Sequence, residues 1–460
     1  MSNQTKYNSF RKTYPEFVYE SYRYDVQADG LHIVFTFRIG ENCFQPTAFI
    51  PARPFLNMEQ PSEVMDTLVF NIGMIELVSY WKCFCPPVVK VVCGRLDDRQ
   101  VAFWKKIYFL GLGEFFYTNG IAATMEDFMT IAAESGAGSR TFETVRGTGY
   151  LIPIGGGKDS VVTLEALKEK GVRPLIMNPR GATKGCAEAA GFTLDDCLVI
   201  KRNIHPRLLD LNAEGCLNGH TPFSAMLAFY TLLAAQLSGI SNIALSNEAS
   251  ANEATVVGTD VNHQYSKSID FENDFRHYVA HYISPTFNYF SFLRPLSELQ
   301  IAMLFSRNEK YFDVFRSCNA GSKQDVWCGR CAKCLFAYII LSPFIPPARL
   351  DAIFGRCLLD DEEMKPLFDQ LVGRAECKPF ECVGTIDEVN TALGMTRERW
   401  YGSHMPALLR EWLAHHVGET TQAAPRCSTS PTSLTVINPH SNLSDEELSI
   451  LTRYVQAAAV

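Results

Sequence analysis

Long uninterrupted apolar runs are missing from the sequence. The strongest, residues 222–235, is too short to span a bilayer and is followed by Gln236, Ser238, Gly239 and Asn242. The polar start, residues 1–12, lacks the apolar core of a secretory signal. Excess positive charge is missing as well. Lys and Arg number 42 against 50 Asp and Glu, a formal charge of −8, which argues against a nucleic-acid partner because phosphate backbones demand clustered cations. Most of the 15 cysteines are irregularly scattered, so reduced thiols in a cytoplasm are expected rather than a disulfide framework. No internal repeat is visible. What is present is a 460-residue chain, 47% apolar, with room for two or three domains.

Residues 31–39 alternate apolar and polar side chains after Asp29-Gly30, which predicts a strand pair. Residues 62–85 have helical spacing between Pro61 and Pro86-Pro87, 88–92 read as a short strand, and 97–109 as a helix. Residues 111–120 are expected to be a loop between flexible glycines, with Glu114 facing substrate. From about residue 145 the pattern alternates strand and helix: 151–154 then 161–170, 174–177 then 182–190, 198–200 then 203–212, and helix 222–237 before strand 243–245. This is an α/β pattern with a parallel sheet covered by helices. The expected division is a mixed α/β domain (1–125), a parallel-sheet domain (126–345), a helical C-terminal region (346–417), and a flexible linker with a terminal helix (418–460).

The centre of the chain is Leu-Ile-Pro-Ile-Gly-Gly-Gly-Lys-Asp-Ser at 151–160. Consecutive glycines let the backbone approach a ligand, and the following helix N-terminus presents free N–H groups and partial positive charge, which makes an anion site. A Walker loop is excluded because Ile152 and Asp159 stand where Gly and Ser/Thr are required, and a dinucleotide loop because Ser160 replaces its third Gly. Ligands of open α/β sheets gather past the strand ends. The densest polar text, residues 246–253 and 262–268, follows such an end. It supplies Asn247, Glu248, Asn252, Asn262, Gln264 and Ser266 for substrate and Lys267 for a phosphate or carboxylate. His263 and His220 are the proton-transfer candidates, with Tyr265 as a further acid. Cys318, Cys328, Cys331 and Cys334, spaced C-x9-C-x2-C-x2-C, supply four thiolates for a tetrahedral structural Zn²⁺. Gly321 and Gly329 allow the turns, and Lys323, Arg330 and Lys333 offset the charge. An iron–sulfur cluster is the rival occupant.

The glycine stretch resembles the PP-loop of N-type ATP pyrophosphatases, Ser-Gly-Gly-x-Asp-Ser after a strand, with Gly155 in place of the first Ser. The resemblance implies a HUP-like fold. It also implies that Gly155, Gly156, Gly157, Lys158, Asp159 and Ser160 hold ATP and that Met177 and Asn178 face adenine. Asp159, helped by Glu248, would hold Mg²⁺. The cysteine spacing is similar to the zinc site of 7-cyano-7-deazaguanine synthases, which are PP-loop enzymes themselves. The order of motifs, from Gly111-Leu-Gly-Glu-Phe through the glycine loop, Gly219-His-Thr-Pro, Ser246-Asn-Glu and Asn262-His-Gln-Tyr-Ser-Lys-Ser to the cysteines, looks like the ATP-dependent UDP-N-acetylmuramoyl-L-alanyl-L-glutamate epimerases of peptidoglycan synthesis. That family implies inversion of the terminal L-Glu of a small-molecule substrate, a UDP-muramoyl dipeptide, with release of AMP and pyrophosphate. Capture of the activated carbonyl by the neighbouring amide oxygen, giving an oxazolone, would acidify the α-proton. Another adenylating PP-loop enzyme and a nucleotide-binding sensor remain the alternatives, and the oligomeric state is left open.

Overall fold

The chain begins its sheet with a hairpin, β1 (Glu16–Gln27) and β2 (Gly30–Ile39), antiparallel across the expected turn. Leu31, Ile33, Phe35, Phe37 and Ile39 are all fully buried, as their alternation predicts. β3 (Asn42–Phe44) and β4 (Thr47–Pro51) both pair antiparallel with β2, while β5 (Val88–Leu96) and β6 (Thr130–Ser135) extend the other edge in parallel. This computed structural model describes residues 2–55, 57–136, 141–143, 147–256, 258–259, 261–399, 405–418 and 434–459. Most of the expected linker, residues 419–431, lies outside them.

The second half of the sheet is parallel throughout: β7 (Tyr150–Pro153), β8 (Val172–Met177), β9 (Leu198–Asn203), β10 (Asn242–Leu245) and β11 (Asn288–Ser291), in the order β11-β10-β7-β8-β9. β9 then pairs antiparallel with β4, Thr47 opposite Asn203 and Phe49 opposite Lys201, so one sheet of 11 strands runs through both halves of the chain. The parallel strands are buried on both faces. Leu151, Leu175, Leu198 and Ile243 enter one core with helices Ser62–Glu76 and Phe223–Ser238; Ile152, Ile176, Val199 and Ala244 enter the other with Lys158–Leu167 and Ala332–Leu341. Because β8 and β9 lie to one side of β7 and β10 and β11 to the other, the chain reverses direction at the end of β7. Open α/β sheets bind ligands at such a switch.

Two local expectations need correction. The helix after β7 begins at Lys158 rather than residue 161, because Asp159 in its first turn complements the positive helix end. Residues 111–120 are mostly helical, with Gly113–Thr118 following Asp98–Gly111 almost directly. Of their glycines, Gly111 serves packing, since a Cβ there would stand 2.7 Å from Pro222 Cγ, and only Gly120 takes a positive φ, +60°. Among the described residues no helix is long and apolar enough to cross a membrane.

Candidate functional site

The end of β7 delivers Gly155, Gly156 and Gly157 to the switch point. Gly157 is the N-cap of helix Lys158–Leu167 and has no side chain to cap its first N–H groups, which stay available to an anion. Gly156 has φ +83° and lies so close to the next helix that a Cβ would stand 2.9 Å from Ala182 Cβ. Gly155 has neither constraint; a Cβ there meets nothing within 4 Å.

A cavity of about 420 Å³ opens at this point, lined by Gly155, Gly157, Asp159, Ser160, Met177, Asn178, Asn247 and Lys267 among others. Its charged lining is Arg180, Lys267, Arg316 and Lys333 against Asp159 and Asp325, a local excess of two positive charges in an acidic chain. Asp325 is already engaged: its carboxylate accepts the N–H groups of Gly181 (2.9 Å) and Ala182 (3.0 Å). The cavity therefore favours a polyanion.

Lys158, expected to reach a ligand, does not line the cavity. It turns inward and forms ion pairs with Asp159 and with Glu298, whose side chain is only 4% exposed. Burial opposes charge on Lys158, but the two carboxylates hold it firmly protonated. A buried Glu298 without a cation would be strongly destabilised, which explains the inward turn. Lys158 thus positions Asp159. Glu248 is buried nearby; burial raises its pKa, Lys267 opposes the rise and Asp159 adds to it.

On the other side of Lys267, three distant segments converge. Glu114, in the first turn of its helix, places Oε2 2.5 Å from His263 Nδ1 and 3.4 Å from His220 Nδ1, and the two rings are 4.5 Å apart. Thr255 Oγ1 accepts the His263 backbone N–H at 3.0 Å. Lys82 supports the His220 loop by donating to Asn218 Oδ1 (2.8 Å) and Gly219 O (2.6 Å). The environments divide the pair. Burial, with His263 and Lys82 adding, pushes His220 down to about 4, so it is neutral at pH 7. Burial also opposes charge on His263, but hydrogen bonds to Cys382 and Glu114 prevail and lift it to about 9, so it is protonated. One imidazole is thus able to accept a proton and the other to donate one. The three donor atoms lie within 4.8 Å and could take a cation. However, ligands sharing one ion at about 2.1 Å with tetrahedral angles stand about 3.4 Å apart, so the Glu114–His263 approach is that of a hydrogen bond.

The remaining candidates divide. Asn247 lines the cavity and donates to Ser291 Oγ (3.0 Å), while Asn178 accepts from and donates to the Arg202 backbone (2.7 and 3.0 Å). Asn262 and Asn252 tie loop backbone: Asn262 donates to Ala251 O (2.9 Å), and Asn252 accepts the Ile269 N–H (2.9 Å). Gln264 donates to Val383 O at 3.2 Å, and Ser266 is buried. Tyr265 is not brought to the imidazoles. It packs in the core against Phe271, its hydroxyl has no hydrogen-bond partner among the described residues, and the acidic groups near it are Asp270 and Asp274.

Cys318, Cys328, Cys331 and Cys334 do converge, with Sγ separations of 3.7 Å (318–331), 3.7 Å (328–334) and 3.5 Å (331–334). Four thiolates about 2.3 Å from one tetrahedral ion would stand about 3.8 Å apart, so the donor set fits Zn²⁺. Gly321 donates its N–H to Cys318 Sγ (3.1 Å), and a Cβ there would meet Val326 O at 2.1 Å. The same loop braces the glycine bend, since Arg316 N–H donates to Gly156 O at 2.7 Å.

Sequence reasoning missed Glu298 and the strap formed by residues 377–383. The Phe380 ring lies 5.3 Å from that of Tyr117 at a tilt of 38°, Glu381 accepts from Asn319 (2.6 Å), and Lys378 pairs with Glu253. No spacing signal marks the strap, because its partners lie far away in the chain.

A family model described as the MurL N-terminal domain matches residues 8–292, and one described as the MurL C-terminal domain matches residues 314–425. The chain is 35% identical over 385 residues to the UDP-N-acetyl-alpha-D-muramoyl-L-alanyl-L-glutamate epimerase of Xanthomonas oryzae pv. oryzae (strain MAFF 311018), covering 82% of this chain and 84% of that one. It is 36% identical over 375 residues to the protein of the same name from Micromonospora sp. (strain ATCC 39149), covering 78% and 81%. It is 33% identical over 399 residues to that of Salinispora tropica, covering 83% and 85%. No solved structure matches.

Proposed function

Because the chain belongs to the MurL epimerase family, we propose that it inverts the α-carbon of the terminal glutamate of UDP-N-acetylmuramoyl-L-alanyl-L-glutamate, after ATP has activated that residue's carboxylate. An α-proton beside a free carboxylate is too weakly acidic for an imidazole, because the carbanion would sit beside a full negative charge. Conversion to an acyl-adenylate removes that charge. The glycine bend, read as a PP-loop in a HUP-like half-sheet, takes the pyrophosphate end of ATP. Lys267, Arg316 and Lys333 neutralise phosphate charge as it develops. Asp159 and Glu248 would be the oxygen donors for Mg²⁺, which would supply charge shielding of the phosphates. Zn²⁺ at the four thiols would clip the loop that braces Gly156 and would leave no open position for chemistry.

His220, neutral at pH 7, removes the α-proton, and His263, kept protonated by Glu114, returns one. The observation that carries this reading is the pair of imidazoles meeting on Glu114 Oε2 beside a cationic cavity at the end of a glycine bend. A soluble nucleotide substrate places the reaction in the cytoplasm. The test is incubation with ATP, Mg²⁺ and the UDP-muramoyl dipeptide in D₂O, followed by chiral analysis. D-glutamate carrying deuterium at the α-carbon is expected; L-glutamate alone, or unlabelled D-glutamate, refutes the reading.

A further inference from the structure

The geometry points to Arg294 as a positioning residue, which ties the backbone of Glu248 to the backbone of Lys267 and so fixes one wall of the nucleotide cavity. The inference rests on the nucleotide reading proposed above and adds to it a residue outside the cavity lining. Three observations carry it. First, Arg294 stands where the two polar loops meet. β10 and β11 run side by side with Leu245 opposite Ser291, and Phe292 N–H continues the ladder by donating to Leu245 O (2.8 Å). Glu248 and Arg294 each stand three residues past the end of their strand, where the ligands of open α/β sheets gather. Ala249 N–H donates to Leu296 O (3.1 Å), which keeps the two strand-end segments together.

Second, one guanidinium reaches both loops. Its Nη1 donates to Glu248 O (2.7 Å) and its Nη2 to Lys267 O (2.5 Å). Nη2 also donates to Ser291 Oγ (3.2 Å), which accepts from Asn247 as well (3.0 Å). Asn247 and Lys267 both line the cavity, so a single side chain sets the spacing of groups on two separate loops. The planar fork of arginine suits this task, because its two terminal nitrogens are held at a fixed separation and angle.

Third, the carbonyls rather than the charge explain how the guanidinium is turned. The side chains of Arg294 and Glu272 are each only 2% exposed, and Glu272 Oε2 accepts from Nη2 at 3.2 Å. That pairing is needed, since a buried guanidinium without an anion would be strongly destabilised. It is nevertheless longer than either bond to the carbonyls, and the buried Nε has no hydrogen-bond partner among the described residues. An arginine arranged for its ion pair presents two N–H groups to one carboxylate; this one spends its fork on the loops. Asn442, from the C-terminal segment, donates to Glu272 Oε1 (2.9 Å) and holds the carboxylate in place.

Lysine at position 294 would keep a positive charge for Glu272 but would offer one nitrogen in place of the fork. The loops would then lose their common tie while the core kept its ion pair. Glu248, proposed above as a donor to Mg²⁺, and Lys267 would no longer be set relative to each other. Groups that orient metal ligands from behind carry about 10–100-fold in metal affinity or activity.

The test uses the full chain with ATP, Mg²⁺, labelled pyrophosphate and the dipeptide substrate. It compares wild type with Arg294→Lys and with the double variant Arg294→Met/Glu272→Met, which removes both buried charges together. Far-UV circular dichroism and thermal unfolding establish which variants fold, and the double variant decides the matter where Arg294→Lys does not. In a folded variant, calorimetric affinity for ATP with Mg²⁺ should fall ~10–100-fold, and the Mg²⁺ concentration that half-saturates pyrophosphate exchange should rise by a similar factor. A folded variant with wild-type ATP affinity and wild-type Mg²⁺ dependence overturns the positioning role, even where turnover is reduced. Failure of both variants to fold also overturns it and assigns Arg294 to the core. Wild-type protein that binds ATP but exchanges no pyrophosphate removes the adenylation reading and leaves the tie to be decided by the affinity ratio. Wild-type protein that binds no ATP removes both.

Discussion

Replacing Glu114 with Gln isolates what the carboxylate does for His263. The side chain is only 15% exposed and its Oε2 lies 2.5 Å from Nδ1, so the amide fits the same space and still presents an oxygen that accepts the imidazole N–H. What is lost is charge. A hydrogen bond to a charged group contributes about 1.5–3 kcal/mol and a neutral one about 1, so the protonated ring loses roughly 0.5–2 kcal/mol of support, centred on about one pKa unit. The sign follows from the raised value: His263 is protonated below about 9, and donor function is lost as pH rises through it. With the value near 8 in the variant, the protonated fraction at pH 8.5 falls about threefold, while at pH 6.5 it hardly changes. The assay is D-glutamate formation between pH 5.5 and 10, with the alkaline limb expected to move about one unit toward neutrality. A uniform loss at every pH with an unmoved limb refutes the reasoning and assigns Glu114 to substrate binding, its original sequence-based role.

Asp159→Ala should lower turnover and pyrophosphate release at least ~100-fold if its loss matches that of one preorganised electrostatic group, with far-UV circular dichroism unchanged. Gly156→Ala should cost about 1–3 kcal/mol in denaturant unfolding, because φ +83° and the 2.9 Å approach to Ala182 Cβ exclude a methyl group. Gly155→Ser should unfold like wild type and, if the bend is a PP-loop, bind ATP more tightly through the restored hydroxyl, as calorimetry would register. Purified protein should hold one zinc per chain by elemental analysis, and Cys331→Ser should abolish it and lower the melting temperature.

Legibility in the sequence followed the range of the interactions. The alternation of Leu31 to Ile39, the strands after residue 145 and the cysteine spacing are local patterns, and the strands and the thiol cluster formed as expected. Glycine density at 111–120 misled, because glycine also permits close helix packing, as Gly111 does against Pro222. The β4–β9 pairing left no trace, since it joins residues about 150 apart through backbone groups alone. His220, His263 and Glu114 were each visible as candidates, but their meeting on one carboxylate oxygen depends on how three segments pack. Lys158 looked like a ligand group because Glu298, 140 residues later, could not be assigned to it. The strap 377–383 sits in a stretch without periodicity, and only its distant partners, Glu253 for Lys378 and Asn319 for Glu381, reveal it.

The fate of ATP is the most direct measure of the central claim. With the UDP-muramoyl dipeptide present, the protein should release one AMP and one pyrophosphate for each D-glutamate formed, and neither product accumulates without substrate. Conversion of ATP to ADP and phosphate, or D-glutamate formation with no nucleotide consumed, contradicts the account.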